Sequence, residues 1–145
     1  MIGLIQRVSE ASVTVDKRVV GAIDAGILLL LGVEKNDSEE NAQKLLDKVI
    51  NFRIFEDQNH KMNLSLLDSG GAMLIVPQFT LPASTKKGNR PSFTSAAPPE
   101  QGKRLYDIFV NLARDKVGRV ATGEFAADMQ VSLVNSGPVT FWLEK

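Results

Sequence analysis

Between Gly26 and Val33 the chain reads Gly-Ile-Leu-Leu-Leu-Leu-Gly-Val, without one polar side chain. The run is far short of the ~20 apolar residues that a membrane-spanning helix needs. Bounded by glycines, a continuous apolar stretch of this length reads as a central strand buried on both faces. Ala72-Met73-Leu74-Ile75-Val76 is a second stretch of the same kind, and it leads straight into Pro77-Gln78-Phe79-Thr80-Leu81. Two such strands must be covered on both faces, which sets the task for the rest of the chain.

The remaining pattern supplies that cover. Ile2, Leu4 and Val8, then Ala11, Val13 and Val15, alternate with other residues, as one long bent strand or two short ones would. Asp16-Lys17 is a tight turn into Arg18–Ile23. Asn36-Asp37-Ser38, with Glu40 three residues after Asp37, has the look of a capped helix start. Ala42, Leu45, Leu46, Val49 and Ile50 then recur at helical spacing. Asn51 to Phe55 reads as a short strand, Asp57 to Ser69 as polar and loop-like, and Gly70-Gly71 as a turn. Residues 82–99 hold no long apolar pattern, and a loop of that length within a compact domain is usually functional or disordered. Pro98-Pro99 opens a second helix with Leu105, Tyr106, Phe109, Leu112 and Ala113 on its apolar face. Two final strands, Met129–Val134 and Val139–Leu143, flank Asn135-Ser136-Gly137-Pro138. Mostly strands with two main helices, the class is α+β, and at 145 residues the chain is expected to be one domain, 1–145.

Composition removes several kinds of chemistry. Lys plus Arg and Asp plus Glu both number 17, so formal net charge is zero, which argues against a protein that coats nucleic acid through bulk charge. There is no Cys, so disulfides, thiolate nucleophiles and cysteine metal sites are out of reach. The single His, His60, lies in a polar stretch and reads as solvated, not as a ligand. No phosphate-cradling glycine loop and no nucleophile elbow occur. No metal or cofactor is expected. Met1–Arg7 lacks the basic and long apolar regions of a secretory signal, so a cytoplasmic protein without membrane association is expected. An enzyme made from this chain works through backbone groups, hydroxyls, amides or its substrate's own groups.

Two segments stand out for such work. Gln78-Phe79-Thr80-Leu81 ends a buried strand, and period 2 puts Gln78 and Thr80 on one side and Phe79 and Leu81 on the other. Gly137-Pro138 interrupts two strands that a simple hairpin turn would join. Gly accepts backbone angles closed to other residues, and Pro fixes φ and lacks an N–H, so the pair makes a rigid corner. Read alone, the first is an ordinary strand end and the second a turn.

Together with further motifs they form a recognisable set. Ile5-Gln6-Arg7-Val8, Leu31-Gly32-Val33-Glu34-Lys35, Arg53-Ile54-Phe55 and Lys61-Met62-Asn63-Leu64 come first. Gln78-Phe79-Thr80-Leu81, Arg90-Pro91-Ser92-Phe93, the stretch Thr122–Val131 and Gly137-Pro138-Val139-Thr140 follow in order. From end to end the chain resembles the bacterial D-aminoacyl-tRNA deacylases, also called D-tyrosyl-tRNA deacylases. The resemblance implies a homodimer and a curved, barrel-like, mostly antiparallel sheet with helices packed outside. It implies hydrolysis of the ester between a D-amino acid and the 3′-terminal adenosine of tRNA. It also implies a cis Gly137-Pro138 step that reaches into the partner's site and fills the space of an L side chain. A wall of that kind recognises no particular side chain, so it admits many D-amino acids and also glycine.

The resemblance further implies that the terminal 2′-hydroxyl of the tRNA assists catalysis. Gln78, Phe79 and Thr80 then position the ester largely through backbone groups, with oxyanion-type stabilisation. This suits a chain with no evident base to activate Thr80. Pro77, Leu81, Phe125 and Met129 are expected to line the pocket, and Lys86, Lys87 and Arg90 to meet tRNA phosphates. The family commonly has Ser before Gln-Phe-Thr-Leu, where this chain has Pro77, so no mechanism can use a hydroxyl or an N–H there. Ser136 likewise stands where Asp is common. Two alternatives remain: a non-catalytic RNA- or protein-binding dimer of the same fold, and a small-ester hydrolase that depends on Thr80.

Overall fold

The computed structural model describes residues 1–86 and 88–145. Strand β1, Ile2–Val15, is one continuous bent strand that serves two partners. Its first half pairs antiparallel with β3, Gly26–Gly32, from Ile2 opposite Gly32 to Val8 opposite Gly26. Its second half pairs antiparallel with β2, Arg18–Ile23, through a turn whose residues Asp16 and Lys17 have φ of 47° and 63°. Both residues in the left-handed region match the mirror-image turns that suit the twist of a hairpin.

The strand read from Ala72–Val76 is β6, Ala72–Pro77, and it lies parallel to β3. Parallel neighbours need a long crossover, and helix α1, Glu39–Ile50, provides it. Helix α3, Pro99–Lys116, makes a second crossover to β7, Val120–Thr122, which is parallel to β6. The sheet is thus mixed: its three pairings through β1 are antiparallel, as expected for most of the sheet, while β3–β6 and β6–β7 are parallel because helical crossovers join them. Where β2 curls round to β7, a Cβ on Gly21 would lie 2.4 Å from the Thr122 carbonyl oxygen. The bare glycine lets the two strands approach and nearly close the barrel. Strand β8, Gln130–Glu144, runs antiparallel along the other edge of β1.

Burial follows the sequence pattern of the central strands. Ile27, Leu29, Leu31, Met73 and Ile75 pack with Leu45, Leu46, Val49 and Phe109 of the two helices. Leu28, Leu74 and Val76 point the other way, into the barrel with Val13, Val15 and Ile23. Each large apolar side chain taken from water contributes about 1.5–3 kcal/mol, so this double cover is the main source of stability.

Three local readings need correction. The α1 cap is Ser38 with Asn41, not Asp37 with Glu40, because Ser38 Oγ accepts from the Asn41 N–H while the Asn41 side chain accepts from the Ser38 N–H. The stretch read as a polar loop, 57–69, contains strand β5, Met62–Leu64, paired with β4, Phe55–Glu56, and a one-turn helix α2, Leu66–Ser69. Asp57 holds the hairpin by accepting from the Asn63 side chain at 2.6 Å and the Asn59 N–H at 2.7 Å. The two strands expected around Gly137-Pro138 are one strand with a bulge.

Candidate active site

The ladder from β6 carries Gln78 out of the sheet. Its N–H donates to the Leu31 carbonyl at 2.8 Å, the last parallel bond. Two tight turns follow, closed by Leu81 N–H to the Gln78 carbonyl at 3.3 Å and Ala83 N–H to the Thr80 carbonyl at 3.1 Å. Among the described residues, the N–H groups of Phe79 and Thr80 have no partner. Adjacent free N–H groups at an exposed turn can hold an oxyanion. Gln78 Nε2 donates to Thr80 Oγ1 at 2.5 Å. The hydroxyl therefore accepts from an amide and, among the described residues, has no base bonded to it to take its proton, which suits positioning better than attack.

Pro77 ends the strand without harm to the ladder. Gln78 faces β3, so residue 77 faces β7, and there the pairing stops at Ile75 opposite Thr122. The Gly123 N–H still reaches the Ile75 carbonyl at 2.8 Å, but Pro77 offers no N–H to the Gly123 carbonyl. The buried Tyr106 hydroxyl sits at this gap, 3.0 Å from the Ile75 oxygen and 3.4 Å from the Gly123 oxygen. Burial pushes its ionisation far above the ordinary tyrosine range, so it remains a donor.

Met129 belongs to the same neighbourhood. Its sulfur accepts from the Glu124 N–H at 3.3 Å and packs over Gly123, which also faces Pro77. Phe125 lies further off, 6.0 Å from the Tyr106 ring, in a groove of about 610 Å³ between α3 and residues 122–125. Leu81 is half-buried beside the buried Pro82. Lys86 and Arg90 are exposed in the following loop, and Lys87 lies outside the described residues.

The Gly137-Pro138 corner is built differently. Gln6 faces Thr140 and Val8 faces Asn135, so residues 136–139 bulge from β8 opposite Arg7. The 137–138 peptide is cis, and Gly137 has φ of 138°. A Cβ at Gly137 would meet Val139 Cγ2 at 2.6 Å and Arg7 Nη2 at 3.0 Å. Arg7 donates through Nε to the Ser136 carbonyl at 3.0 Å and through Nη1 to the Ile54 carbonyl at 2.7 Å, with Glu56 at 3.6 Å. The Asn135 side chain accepts from the Val139 N–H and donates to Thr140 Oγ1, both at 2.9 Å. Arg7 and Asn135 had no assigned role in the sequence reading. Both lie in or beside segments that the sequence singles out, Ile5-Gln6-Arg7-Val8 and Asn135-Ser136-Gly137-Pro138.

Within one chain these two segments do not meet. Pro77 faces Leu31, which faces Gly3, whereas the bulge sits opposite Arg7 and ends at Val8. Four residues of strand, from Gly3 to Arg7, at about 3.3 Å each, separate the two levels by roughly 13 Å. Three strand spacings of about 4.8 Å also lie between β8 and β6. Neither the groove between α3 and residues 122–125 nor the one lined by Glu10–Ser12, Ala22–Asp24 and Ser132–Val134 includes residues 78–80 or 137–138. Among the described residues no cluster of His, Cys, Asp or Glu is gathered to hold a metal ion, and no helix is long and apolar enough to cross a membrane.

The chain matches known proteins over nearly its whole length. A model of the D-Tyr-tRNA(Tyr) deacylase family fits residues 4–144. The chain belongs to this family. A D-aminoacyl-tRNA deacylase from Cellvibrio japonicus is 60% identical over 99% of both chains, and one from Pseudoalteromonas atlantica is 62% identical over 99% of both. Among solved structures, a c-Myc DNA unwinding element binding protein superposes with a TM-score of 0.96 at 38% identity, over 100% of this chain and 99% of that one. A probable eukaryotic D-amino acid tRNA deacylase superposes at 0.88 over 99% and 98%, and at 17% identity it shows the shared fold alone. Membership of the deacylase family makes the chain an enzyme, a hydrolase.

Proposed function

We infer that the chain removes D-amino acids from tRNA by hydrolysing the ester to the 3′-terminal adenosine, and that it acts on glycyl-tRNA as well. The observation that carries this is the exposed turn at the end of β6. Its two free N–H groups suit a developing oxyanion, while Thr80 has no base to make it a nucleophile. The missing base is supplied by the substrate, through the 2′-hydroxyl of its terminal ribose. Pro77, Leu81 and Met129 border the amino acid's position, and Phe125 closes the far side. Lys86 and Arg90 meet the phosphates of the acceptor end. The whole chain, 1–145, acts as one domain in the cytoplasm.

The active unit is a homodimer in which each copy lends Gly137-Pro138 to the other. The separation of the two segments within one chain supports this reading, because a wall so far from its own residues 78–80 serves only a second copy. A backbone wall rejects the L side chain by position alone. Incubation with D-Tyr-tRNA and L-Tyr-tRNA tests the proposal: rapid loss of the D ester only is expected. A D-Tyr-tRNA ending in 2′-deoxyadenosine should resist hydrolysis, and Thr80→Ala should keep turnover within about tenfold of wild type. A much larger loss with Thr80→Ala would favour the Thr-dependent esterase instead.

A second reading has one observation in its favour. The solved relative at 38% identity is named for binding a DNA unwinding element. A purely nucleic-acid-binding role here predicts binding of tRNA with neither ester lost.

A further inference from the structure

The groove between α3 and residues 122–125, about 610 Å³, is of the size that small ligands occupy. Its floor is apolar. Val110 and Tyr106 are each 5% exposed, and the Phe125 ring lies 6.0 Å from that of Tyr106. The Tyr106 hydroxyl is committed to the Ile75 and Gly123 carbonyls, so the residue offers the groove its ring. The charges around this floor are unevenly matched. Lys103 and Asp107 line the groove and neutralise each other at 2.5 Å. Arg104 and Lys116, also on α3, pair with Glu39 and Asp47, both at 2.7 Å. Arg114 on the helix wall and Glu124 on the opposite wall form no ion pair among the described residues, with each other or with any other group.

We propose that this groove binds the zwitterion of a free amino acid with an apolar or aromatic side chain, and in particular the D-amino acid that the reaction releases. A simple anion entering the groove meets Glu124, and a simple cation meets Arg114. A ligand that carries both charges on neighbouring atoms satisfies both walls at once. An α-amino acid is such a ligand. Its carboxylate takes a forked pair of bonds from the Arg114 guanidinium, and its ammonium turns to Glu124. Its side chain lies on Val110 and the two rings, which suit an aromatic partner best. Arg114 and Glu124 are exposed, so each charge contributes modestly, and burial of the side chain supplies the rest. The choice of a D-amino acid rests on the deacylase reading above, whereas the match of charge and shape does not. Phe125 lines the groove and, in that reading, closes the far side of the reacting site, so the product is released beside its binding place.

Calorimetry with D-tyrosine, tyramine and N-acetyl-D-tyrosine tests the assignment. Tyramine lacks the carboxylate and N-acetyl-D-tyrosine lacks the ammonium. The wild type should bind each about fivefold more weakly than D-tyrosine, the upper range for an exposed ion pair. Arg114→Gln should weaken D-tyrosine by about the same factor and leave tyramine unchanged. Glu124→Gln should weaken D-tyrosine similarly and leave N-acetyl-D-tyrosine unchanged. Both variants should keep the wild-type melting temperature. D-tyrosine should still bind when the reacting site is filled with the non-hydrolysable amide 3′-(D-tyrosylamino)-3′-deoxyadenosine. Displacement by that amide, equal affinity of the wild type for all three ligands, no binding of D-tyrosine, or losses in the variants that ignore the ligand's charge would each overturn the groove site. Turnover of D-Tyr-tRNA by the wild type is measured alongside and tests the deacylase reading separately. Turnover without binding of D-tyrosine sinks the groove alone, whereas binding without turnover sinks the deacylase reading alone.

Discussion

The end of β6 and the corner in β8 solve opposite problems. At residues 78–81 the backbone turns outward, leaves two N–H groups free and exposes Phe79 and Thr80. At residues 135–140 the Ser136 carbonyl, the Val139 N–H and the Thr140 hydroxyl are each taken by Arg7 or Asn135. An oxyanion site needs donors waiting for a ligand, so it keeps groups unpaired. The steric wall proposed for the corner would need a fixed position, which occupied groups supply. Unpaired groups in one place and occupied groups in the other therefore signal different work.

The largest expected effect comes from releasing the corner. Arg7→Ala removes two hydrogen bonds from a charged donor to backbone carbonyls, each worth about 1.5–3 kcal/mol. Denaturant titration should show a loss of that order, and the ratio of D to L ester hydrolysis should fall by tenfold or more. Arg7→Lys, which cannot reproduce the fork, should recover stability only in part. Intact discrimination in Arg7→Ala would mean that Asn135 alone holds the wall.

A smaller effect is expected at the other region. Tyr106→Phe deletes the one hydroxyl that bridges the gap left by Pro77, at about 1 kcal/mol for a neutral hydrogen bond. Pro77→Ser restores an N–H aimed at the Gly123 carbonyl, so Tyr106→Phe should cost less in that background. The double-mutant cycle should give a coupling of at least about 0.5 kcal/mol. Strict additivity would show that the hydroxyl and the proline act independently.

How far these regions could be read from the sequence follows from the range of their interactions. The apolar runs at Gly26–Val33 and Ala72–Val76 declared double burial, and Leu28 and Leu29 do face opposite cores. Helix faces followed from spacing in the same way. Strand direction did not, since parallel pairing depends on where α1 and α3 return the chain. β7, with only Val120–Thr122, is too short to carry a period. At the site, Gln78–Thr80 and Gly137-Pro138 were visible as motifs. Their braces were not: Arg7 acts on Ser136 across 129 positions and on Ile54 across 47, and no local pattern encodes such a partner. Tyr106 looked like one more apolar-face residue, and its polar task emerged only beside Pro77.

The smallest effect concerns the hairpin that supports the corner from behind. Ile54 and Glu56, both in contact with Arg7, adjoin or belong to the β4–β5 hairpin that Asp57 ties. The Asn63 side chain, then the N–H groups of Lys61 and Asn59, hold the Asp57 carboxyl below its ordinary value of 3.8. A carboxylate lowered in the folded state stabilises fully above its unfolded pKa and loses that contribution as pH falls through the folded one. Below about pH 4 the hairpin should therefore loosen before the sheet does. Amide exchange at Asn59 and Lys61 should rise in that window relative to exchange in β3, and D/L discrimination should soften by no more than a few-fold. Asp57→Asn cannot titrate, so its hairpin exchange should be raised at neutral pH and flat with acidification. The turn at 78–81 has no titrating tie of this kind, so its behaviour should not change over the same range.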